Sequence, residues 1–401
     1  MATVIIGAGI IGTSTAYYLS QSSKNEIHLV EASPQLFASA SGFAAGFLAR
    51  DWFSPSLARL GELSFDLHKQ LAEENNGHDR WGYSRSTGTS LAETVGKNGA
   101  DWLMEGVSRS TAAARTTNSN GNCPRWLVPG SELDVMSDGS TTAQCDPLLL
   151  CRFLLESCQS RAVQMHQPAK AISVTRSPSG TLSSITILNT STQQQTTLPC
   201  TRLVLAAGAW TPEVHRTLFP TSKTTIPITS LAGHSLVIRS PHWPPPALDG
   251  TDPAHAGRPD CHAVFTTDAE ADYSPEIFSR MPDGCIYLAG LNSSTYPLPK
   301  IATERVIDPK SIAVLKKTAR RLLGDGFEVV REGVWFYNSW RPVARKGVPI
   351  IADLGDGGEE GVIVCAGHGP WGISNSLGSG YCVAKMVEGE DVERYVGRLG
   401  L

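Results

Sequence analysis

Apolar and polar positions at the start of the chain predict a strand, a tight turn and a helix. Residues 3–6 form an apolar run, residues 7–12 carry three glycines, and residues 13–20 have a helical pattern. A second apolar run at 27–30 predicts the next strand, which ends at Glu31. The N-terminus is therefore expected to form a β-turn-α-β unit.

The middle of the chain also mixes helix and strand patterns. A helix is predicted at 147–157 and a strand at 203–206. Two β-like runs lie between them, at 171–174 and 184–188. The turn signal Ser177-Pro178-Ser179-Gly180 joins these runs, so a hairpin is expected there.

The C-terminal part holds a predicted buried strand at 361–365, a glycine-rich turn and a helix through 383–386. Stretches of different composition separate the three blocks, one rich in Ser, Thr, Asn and Gly at 108–145 and one rich in Pro at 240–262. The pattern predicts an α/β fold with one nucleotide-binding domain assembled from three segments and a second domain built from the two between them. The first domain is expected over residues 1–75, 145–225 and 342–401, and the second over 76–144 and 226–341.

Composition and charge exclude several classes of protein. Of the 401 residues, 41% are hydrophobic and 18% are charged, which is ordinary for a folded chain and unlike a disordered or coiled-coil one. The formal net charge of −4 gives no basic surface, so nucleic acid and anionic membranes are not the expected partners.

Cysteine usage and the lack of long apolar runs indicate a compartment. The nine cysteines are odd in number and include no Cys-x-x-Cys pair, which favours reduced thiols over disulfides or structural zinc. No apolar run of the sequence reaches the ~18 residues that cross a bilayer, and no basic leader precedes the first strand. These features favour a cytoplasmic protein. His255, Cys261 and His262 lack zinc-ligand spacing, so we expect no metal site.

The first candidate site is the glycine motif Gly7-Ala8-Gly9-Ile10-Ile11-Gly12 between a predicted strand and a predicted helix. Gly7 permits the tight turn, and Gly12 lets the helix pack on the strand. Gly9 lets a pyrophosphate approach the amides of Ile10 and Ile11 at the helix N-terminus. The alternative is a glycine-rich turn that binds no nucleotide.

An acidic residue follows this motif at the distance that a dinucleotide requires. Glu31 lies nineteen residues beyond Gly12, where it is placed to accept hydrogen bonds from a ribose, and Ala32 follows it. An acid at this position selects only against a ribose phosphate, so FAD and NAD both fit.

The second candidate site is a run of small residues at 40–48, shortly after Glu31. Ala40, Ala45 and Gly46 let the backbone approach a large flat ligand, and Ser41 can bond a phosphate. Phe47 is the last but one residue of this run. The alternative interpretation of the run is a packing segment.

The third candidate site is the glycine-rich turn at 365–373, between a strand and a helix. A turn with Gly367, Gly369 and Gly372 leaves backbone amides and a helix N-terminus exposed to a ligand. Such groups suit the electron-rich end of a reduced flavin. An NAD enzyme would not need such a turn. His368 and Ile373 complete this turn. A plain strand-to-helix connection is the alternative.

Together these residues resemble a family, the FAD-dependent amine and amino-acid oxidoreductases of the D-amino-acid oxidase, glycine oxidase and sarcosine oxidase type. The resemblance covers nearly the whole chain, and Ser274-Pro275-Glu276-Ile277 and residues 52–82 resemble a fungal cytosolic branch. It rests on these motifs: residues 7–12, Ala44-Ala45-Gly46, Thr142-Ala143-Gln144, residues 203–210, Arg341-Pro342 with Gly347-Val348-Pro349-Ile350, and Gly367-His368-Gly369.

The resemblance implies a GR2-type, Rossmann-like FAD-binding domain with an inserted antiparallel-sheet α+β substrate domain. Residues 367–373 would line the flavin ring, and Ala207, Gly208 and Trp210 would pass close to the FAD pyrophosphate or ribityl chain. Arg341 would clamp a substrate carboxylate through a bidentate contact. The alternative for Arg341 is an interdomain salt bridge.

Departures from the family pattern are informative. Ser339 aligns with the cysteine that anchors flavin covalently in sarcosine-oxidase relatives, so non-covalent FAD is expected. Tyr287 aligns with the lysine that helps those enzymes react with oxygen. Pro370-Trp371 replaces a basic residue found in some amino-acid-oxidising relatives.

Aromatic residues crowd the sequence near Arg341 and the flavin turn. Tyr337 and Trp371, with four other aromatics, are expected either to enclose a bulky or cationic amine or to pack in the core or at a domain interface. The other four are Trp52, Trp335, Phe336 and Trp340.

The leading hypothesis is an FAD enzyme that takes a hydride from the carbon next to nitrogen in an amine or amino-acid-like substrate and is reoxidised by O2. Arg341, Trp371 and Tyr337 would orient the substrate and shape its pocket. His368 is expected to pack or contact flavin rather than act as a base. Three alternatives stay open: an FAD dehydrogenase with another acceptor, a flavin-binding interaction or trafficking protein with little turnover, and an NAD-dependent dehydrogenase.

Overall fold

The predicted β-turn-α-β unit is present at the N-terminus. The structure, a computed structural model, describes residues 2–22, 26–91, 124–128, 133–243, 261–281, 283–340 and 348–401. In it the first helix begins at Ile10, three residues before the predicted start at 13. The reason is that Gly12 lies inside the helix, where it permits close packing on the preceding turn, and is not part of the turn itself.

The strands and helices that the sequence predicts are present, with shifts of a few residues at their ends. The strands are β1 (Ala2–Ile6), β2 (Glu26–Val30), β3 (Phe47–Ala49), β4 (Ser84–Leu91), β5 (Leu133–Ser137), β6 (Thr142–Gln144), β7 (Gln164–His166), β8 (Ala169–Arg176), β9 (Leu182–Asn189), β10 (Gln195–Pro199), β11 (Arg202–Leu205), β12 (Ile228–Arg239), β13 (Cys261–Phe265), β14 (Glu276–Ser279), β15 (Cys285–Ser293), β16 (Glu328–Trp340), β17 (Ile350–Asp353) and β18 (Val362–Ala366). The helices are α1 (Ile10–Ser22), α2 (Ala40–Phe43), α3 (Ala58–Asn75), α4 (Gly77–Trp81), α5 (Pro147–Ser160), α6 (Thr211–Leu218), α7 (Pro309–Leu323), α8 (Ser376–Val387) and α9 (Glu393–Val396).

A mostly parallel sheet is assembled from three separate parts of the chain. Its order is β17-β18-β11-β1-β2-β7, and every neighbouring pair is parallel except β17 with β18. Side chains alternate between its faces, so Ile5 packs toward α1 and α8 while Val4 and Ile6 pack toward the small β8–β10 sheet. This is the nucleotide-binding architecture that the sequence predicts, and the residue bounds of the two domains stay a prediction.

The second, mostly antiparallel sheet has the order β16-β12-β15-β14-β13-β4-β6-β3, with β5 paired to β4. On β15, Ile286 and Leu288 face α7, whereas Tyr287 and Ala289 belong to the same buried cluster as Ile5. The two sheets therefore share one core, and the face that carries Tyr287 and Ala289 is turned toward the nucleotide-binding part.

Two further findings hold for the described residues. None of their helices combines the length and the apolar character needed to cross a membrane. Their eight cysteines are buried, and the ninth, Cys123, lies outside the described residues.

Candidate functional site

A large cavity of about 650 Å³ lies between the parallel sheet and the second sheet. Its walls come from the glycine motif, the end of β2, the segment after α2, the turn after β18 and the faces of β14, β15 and β16. Its volume falls within the range of about 300–1,000 Å³ that is usual for small-molecule and cofactor sites. One site therefore brings together residues from distant parts of the chain.

The glycine motif forms a cradle at the N-terminus of α1. Gly7 has φ of +102°, and a Cβ there would lie 2.5 Å from the carbonyl oxygen of Ala206, so no other residue fits without movement. The amide of Ile10 donates a hydrogen bond to Ser41 Oγ at 2.9 Å. The Ser41 hydroxyl proton remains available to donate to a phosphate oxygen, and the helix N-terminus favours an anion there.

The carboxylate of Glu31 is fixed at the end of β2. It accepts hydrogen bonds from the Ala8 amide at 3.0 Å and from the Ser33 amide at 2.9 Å. Burial raises the pKa of Glu31, and these amides act in the opposite direction. Each carboxylate oxygen keeps a further lone pair, so the ribose hydroxyls of a dinucleotide fit this position.

The segment after α2 passes along the cavity without regular structure. Ala44 and Ala45 lie on the cavity wall. Gly46 has φ of +91° and touches the backbone of Cys145, where a Cβ would lie 2.0 Å from the carbonyl oxygen. Phe47 turns into an aromatic cluster instead, with its ring centroid 5.3 Å from Trp52 and 5.7 Å from Phe265.

The turn after β18 holds a histidine that stays neutral. Burial lowers the pKa of His368 to about 3, and its Nε2 lies 2.9 Å from Ser379 Oγ. A group held neutral in this way is suited to packing against a ligand rather than to carrying charge. A second buried histidine, His68, holds the same turn through Nε2, 3.0 Å from the carbonyl oxygen of Ile373. Trp371 lies between cavity-lining neighbours, and its ring packs edge-on against Phe53 with centroids 5.0 Å apart.

The second sheet gives the cavity an aromatic wall with one carboxylate. Tyr287, Trp335 and Phe336 line it, together with Glu276 and Ala289. The wall joins the nucleotide-binding part through Ser39, whose Oγ donates to the Phe336 carbonyl oxygen at 3.0 Å and accepts from its amide at 3.2 Å. An aromatic and partly acidic wall suits a small organic substrate.

The cavity brings together most of the residues that the sequence predicts for the cofactor. On its wall are Gly7, Gly9, Ile10, Ile11, Glu31, Ala32, Ala40, Ser41, Ala45, Ala207, Gly208, Trp210, His368, Gly369, Gly372 and Ile373. Gly12, Gly46, Phe47 and Gly367 lie outside that wall. That these residues bind FAD stays a prediction.

The predicted substrate residues are less fully described. Arg341 lies outside the described residues, and Tyr337 is described only as backbone of β16. Trp371 lies next to the cavity, between the wall residues Pro370 and Gly372, and its part in a substrate pocket stays a prediction.

Several cavity residues escaped the sequence analysis. Lys170, Thr190, Lys300 and Ile301 come from surface loops or from the small sheet, where no local pattern distinguishes a site residue. Glu276 has a clearer signal, since it begins a strand whose next two residues are apolar. Side chains two positions apart in a strand lie on the same face, so Glu276 shares a face with Phe278.

Comparisons with known proteins find a family model and a relative that match most of the chain. A model of the DAO family, described as FAD dependent oxidoreductase, matches residues 2–386. A Schizosaccharomyces pombe protein that carries the name of an oxidoreductase is 25% identical across 96% of this chain and 93% of its own length.

Solved structures share the fold at low sequence identity. Glycine oxidase from Geobacillus kaustophilus superposes with a TM-score of 0.76 at 19% identity, covering 100% of this chain and 97% of that one. Iminodiacetate oxidase from Chelativorans sp. BNC1 superposes with a TM-score of 0.72 at 16% identity, covering 99% and 98%. The expected Rossmann-like α/β fold class is confirmed by these superpositions.

Proposed function

We propose that this chain, which belongs to the DAO family of FAD dependent oxidoreductases, oxidises the C–N bond of an amine or amino-acid-like substrate to an imine. The family makes the protein an enzyme that depends on FAD. Glycine oxidase and iminodiacetate oxidase, which share its fold, are named for substrates with nitrogen next to an oxidisable carbon.

One observation carries the proposal more than any other. A single cavity extends from the glycine cradle and Glu31 to the wall formed by Glu276, Tyr287 and Trp335. A dinucleotide anchored at the cradle end therefore has room to direct its reactive ring toward a substrate held against the second sheet.

We assign the glycine motif, Ser41 and Glu31 to the FAD pyrophosphate and ribose. Ala45 and the turn at 367–373 would hold the flavin ring. The binding would be non-covalent because Ser339 stands where a covalent anchor would be a cysteine.

Residues around the aromatic wall would orient the substrate. Arg341 would clamp a substrate carboxylate, with Tyr337 and Trp371 shaping the pocket. The Glu276 carboxylate on the wall can accept a hydrogen bond from the substrate nitrogen.

FAD, when bound, supplies the hydride acceptor. The protein's task is to hold the neutral amine with its α C–H bond directed at the reactive ring and to exclude water. The substrate would give a hydride from carbon to FAD and a proton from nitrogen to the solvent, and a C=N bond would form. We propose O2 as the final electron acceptor, with another acceptor as the dehydrogenase variant.

The first experiment is an absorption spectrum of the purified protein, followed by anaerobic addition of candidate amines. The panel contains D- and L-amino acids, N-methylated amino acids and polyamines. Bleaching of the flavin by one class supports the enzyme proposal and identifies the substrate class. A flavin that no candidate bleaches favours the interaction or trafficking protein, and a protein that never binds flavin contradicts the assigned site.

Two further measurements complete this test. Acid precipitation should release FAD into the supernatant, whereas flavin that stays with the precipitate contradicts non-covalent binding. Readmission of air to the bleached enzyme should restore the spectrum if O2 is the acceptor. A cytoplasmic location is also proposed, on the cysteine usage of the sequence, and cell fractionation tests it.

A further inference from the structure

The backbone carbonyls of four successive residues, Phe43 to Gly46, all accept hydrogen bonds from groups outside this segment, and the middle two residues lie on the cavity wall. The donors are Tyr287 Oη to Phe43 at 2.7 Å, Arg280 Nη2 to Ala44 at 2.9 Å, Gln144 Nε2 to Ala45 at 2.6 Å, and the Cys145 amide to Gly46 at 3.0 Å. Three of the donors are side chains, and they come from β6, β15 and the end of β14.

The three side chains are buried, so the arrangement is unlike an ordinary surface loop. Tyr287 and Gln144 are each 1% exposed and Arg280 is 3% exposed. The buried guanidinium of Arg280 is balanced by Asp146, 3.4 Å away, and lies 5.1 Å from the centroid of the Tyr287 ring. The donor atoms named here are all paired, although Arg280 Nε and Gln144 Oε1 have no hydrogen-bond partner among the described residues. Removing one of the donors would leave a buried carbonyl without its partner, which is costly.

The direction of these hydrogen bonds fixes the direction of the neighbouring amides. Arg280 and Gln144 lie off the cavity wall, whereas Ala44 and Ala45 lie on it. In a trans peptide the N–H and the C=O point in opposite directions. The carbonyl of Ala44 is held away from the cavity, so the amide of Ala45, a wall residue whose N–H belongs to the same peptide, is turned toward it.

The charge on Arg280 also strengthens the amide donor that it positions. A hydrogen bond from a guanidinium polarises the Ala44 carbonyl, and the same peptide group carries the Ala45 N–H. A ring that gains negative charge on reduction is stabilised by such a donor. Positioning and polarisation therefore act together on one peptide.

We propose that Arg280, Gln144 and Tyr287 are positioning residues that hold this segment so that the amide of Ala45 faces the bound flavin ring and raises its reduction potential. This inference rests on the proposed FAD site. None of the three residues needs to touch the flavin for the effect, although Tyr287 also lines the cavity.

The test compares the purified holoenzyme with Arg280→Met, Arg280→Lys, Gln144→Met and Tyr287→Phe. Arg239→Met is the matched control, because Arg239 is an exposed arginine of the same sheet that pairs with Glu328. The readouts are the FAD dissociation constant, the flavin absorption spectrum at saturating FAD, the midpoint potential from dye titration, and the melting temperature of the apoprotein.

Loss of one neutral hydrogen bond in Tyr287→Phe or Gln144→Met should weaken FAD binding by about 2- to 10-fold, and loss of the charged donor in Arg280→Met by about 10- to 100-fold. Each variant should shift the flavin spectrum and lower the midpoint potential. Arg280→Lys should restore part of the potential, since it keeps the charge but not the fork geometry. Arg239→Met should match the wild type in every readout.

Two other outcomes overturn the inference. Variants with a lower apoprotein melting temperature but a wild-type spectrum and midpoint potential would show a purely structural role. Variants identical to the wild type in all readouts would show no role at all. If Arg280→Met does not fold, Tyr287→Phe and Arg280→Lys still decide the question. A wild-type protein that binds no FAD contradicts the proposed function instead, so the two failures are distinguishable.

Discussion

Glu31 Oε2 accepts a hydrogen bond from the Ala8 amide at 3.0 Å, and this contact joins the end of β2 to the middle of the glycine motif. The two halves of the predicted dinucleotide site therefore hold each other in place before any ligand binds. Because these groups are already ordered, less of the binding free energy is lost in ordering them when a ligand binds.

Glu31→Gln should weaken FAD binding by about 10- to 100-fold, because charge-assisted hydrogen bonds to the ribose and to the site's own amides are lost. Equilibrium titration of the apoprotein with FAD measures the change. Glu26→Gln is the control, since Glu26 is an exposed carboxylate at the other end of the same strand. Equal affinities for Glu31→Gln and the wild type would remove Glu31 from the site.

Gly12→Ala should destabilise the protein and abolish FAD binding. A Cβ at Gly12 would lie 1.9 Å from the Gly7 carbonyl oxygen, so α1 or the turn must move. Thermal melting measures the loss, which should reach a few kcal/mol because backbone atoms cannot yield as side chains do. The control is Gly400→Ala, where a Cβ meets open space. A normal melting temperature for Gly12→Ala would contradict the close packing of helix and turn.

Stability should fall as the pH drops below about 6.5, partly because of His68. Burial lowers the pKa of His68 from 6.5 to about 4, so the folded protein keeps it neutral. Above pH 6.5 neither state binds a proton there and the residue adds no pH dependence. Below pH 6.5 His68 binds a proton in the unfolded chain but stays neutral in the folded one. The free energy of unfolding therefore falls by about 2 kcal/mol by about pH 5.

Denaturant unfolding at several pH values between about 5 and 7.5 checks this sign and size. His68→Gln should flatten the slope in that window, although it also lowers the stability at neutral pH through loss of the contact with Ile373. A wild-type slope in His68→Gln would show that the acid sensitivity comes from other groups, of which His368 is the next to test.

Arg341→Lys should discriminate between substrates rather than inactivate the enzyme. If Arg341 clamps a carboxylate through two parallel hydrogen bonds, lysine cannot reproduce the contact, and kcat/KM for a carboxylated amine should fall about tenfold or more. Turnover of an amine without a carboxylate should stay unchanged. Anaerobic flavin reduction with a matched pair of substrates measures both. An equal loss for both substrates would favour the interdomain salt bridge instead.

The α/β fold could be predicted from the sequence because its signals are local. The apolar runs of β1 and β2, the glycines between them and the turn at Ser177-Pro178-Ser179-Gly180 each report on a few neighbouring residues. Element ends were less accurate, as at Ile10, because glycine marks close packing as well as turns. The order of strands in each sheet depends on contacts between distant residues and could not be predicted in this way.

The residues of the candidate site also differ in whether a local sequence signal marks them. The glycine motif, Glu31 and Ser41 carry a spacing that chemistry explains, and they meet in one cavity. Arg280 carried no such signal, because a single arginine after an apolar strand resembles any surface residue. Only the three-dimensional structure shows it buried against the carbonyl of Ala44, between the two sheets.

The assembly of the parallel sheet from three segments has a consequence for biosynthesis. In the register of its central strands, Thr3 pairs with Arg202 and Leu203 pairs with Val362. Contacts between residues so far apart in sequence slow folding, because a long loop must lose conformational entropy in closing before the stabilising contacts form. A ribosome adds about 5–20 residues per second, so the first strand waits for many seconds before its last neighbour exists. During that interval the nascent chain exposes apolar strand edges, and a chaperone that covers them should raise the yield of the folded enzyme.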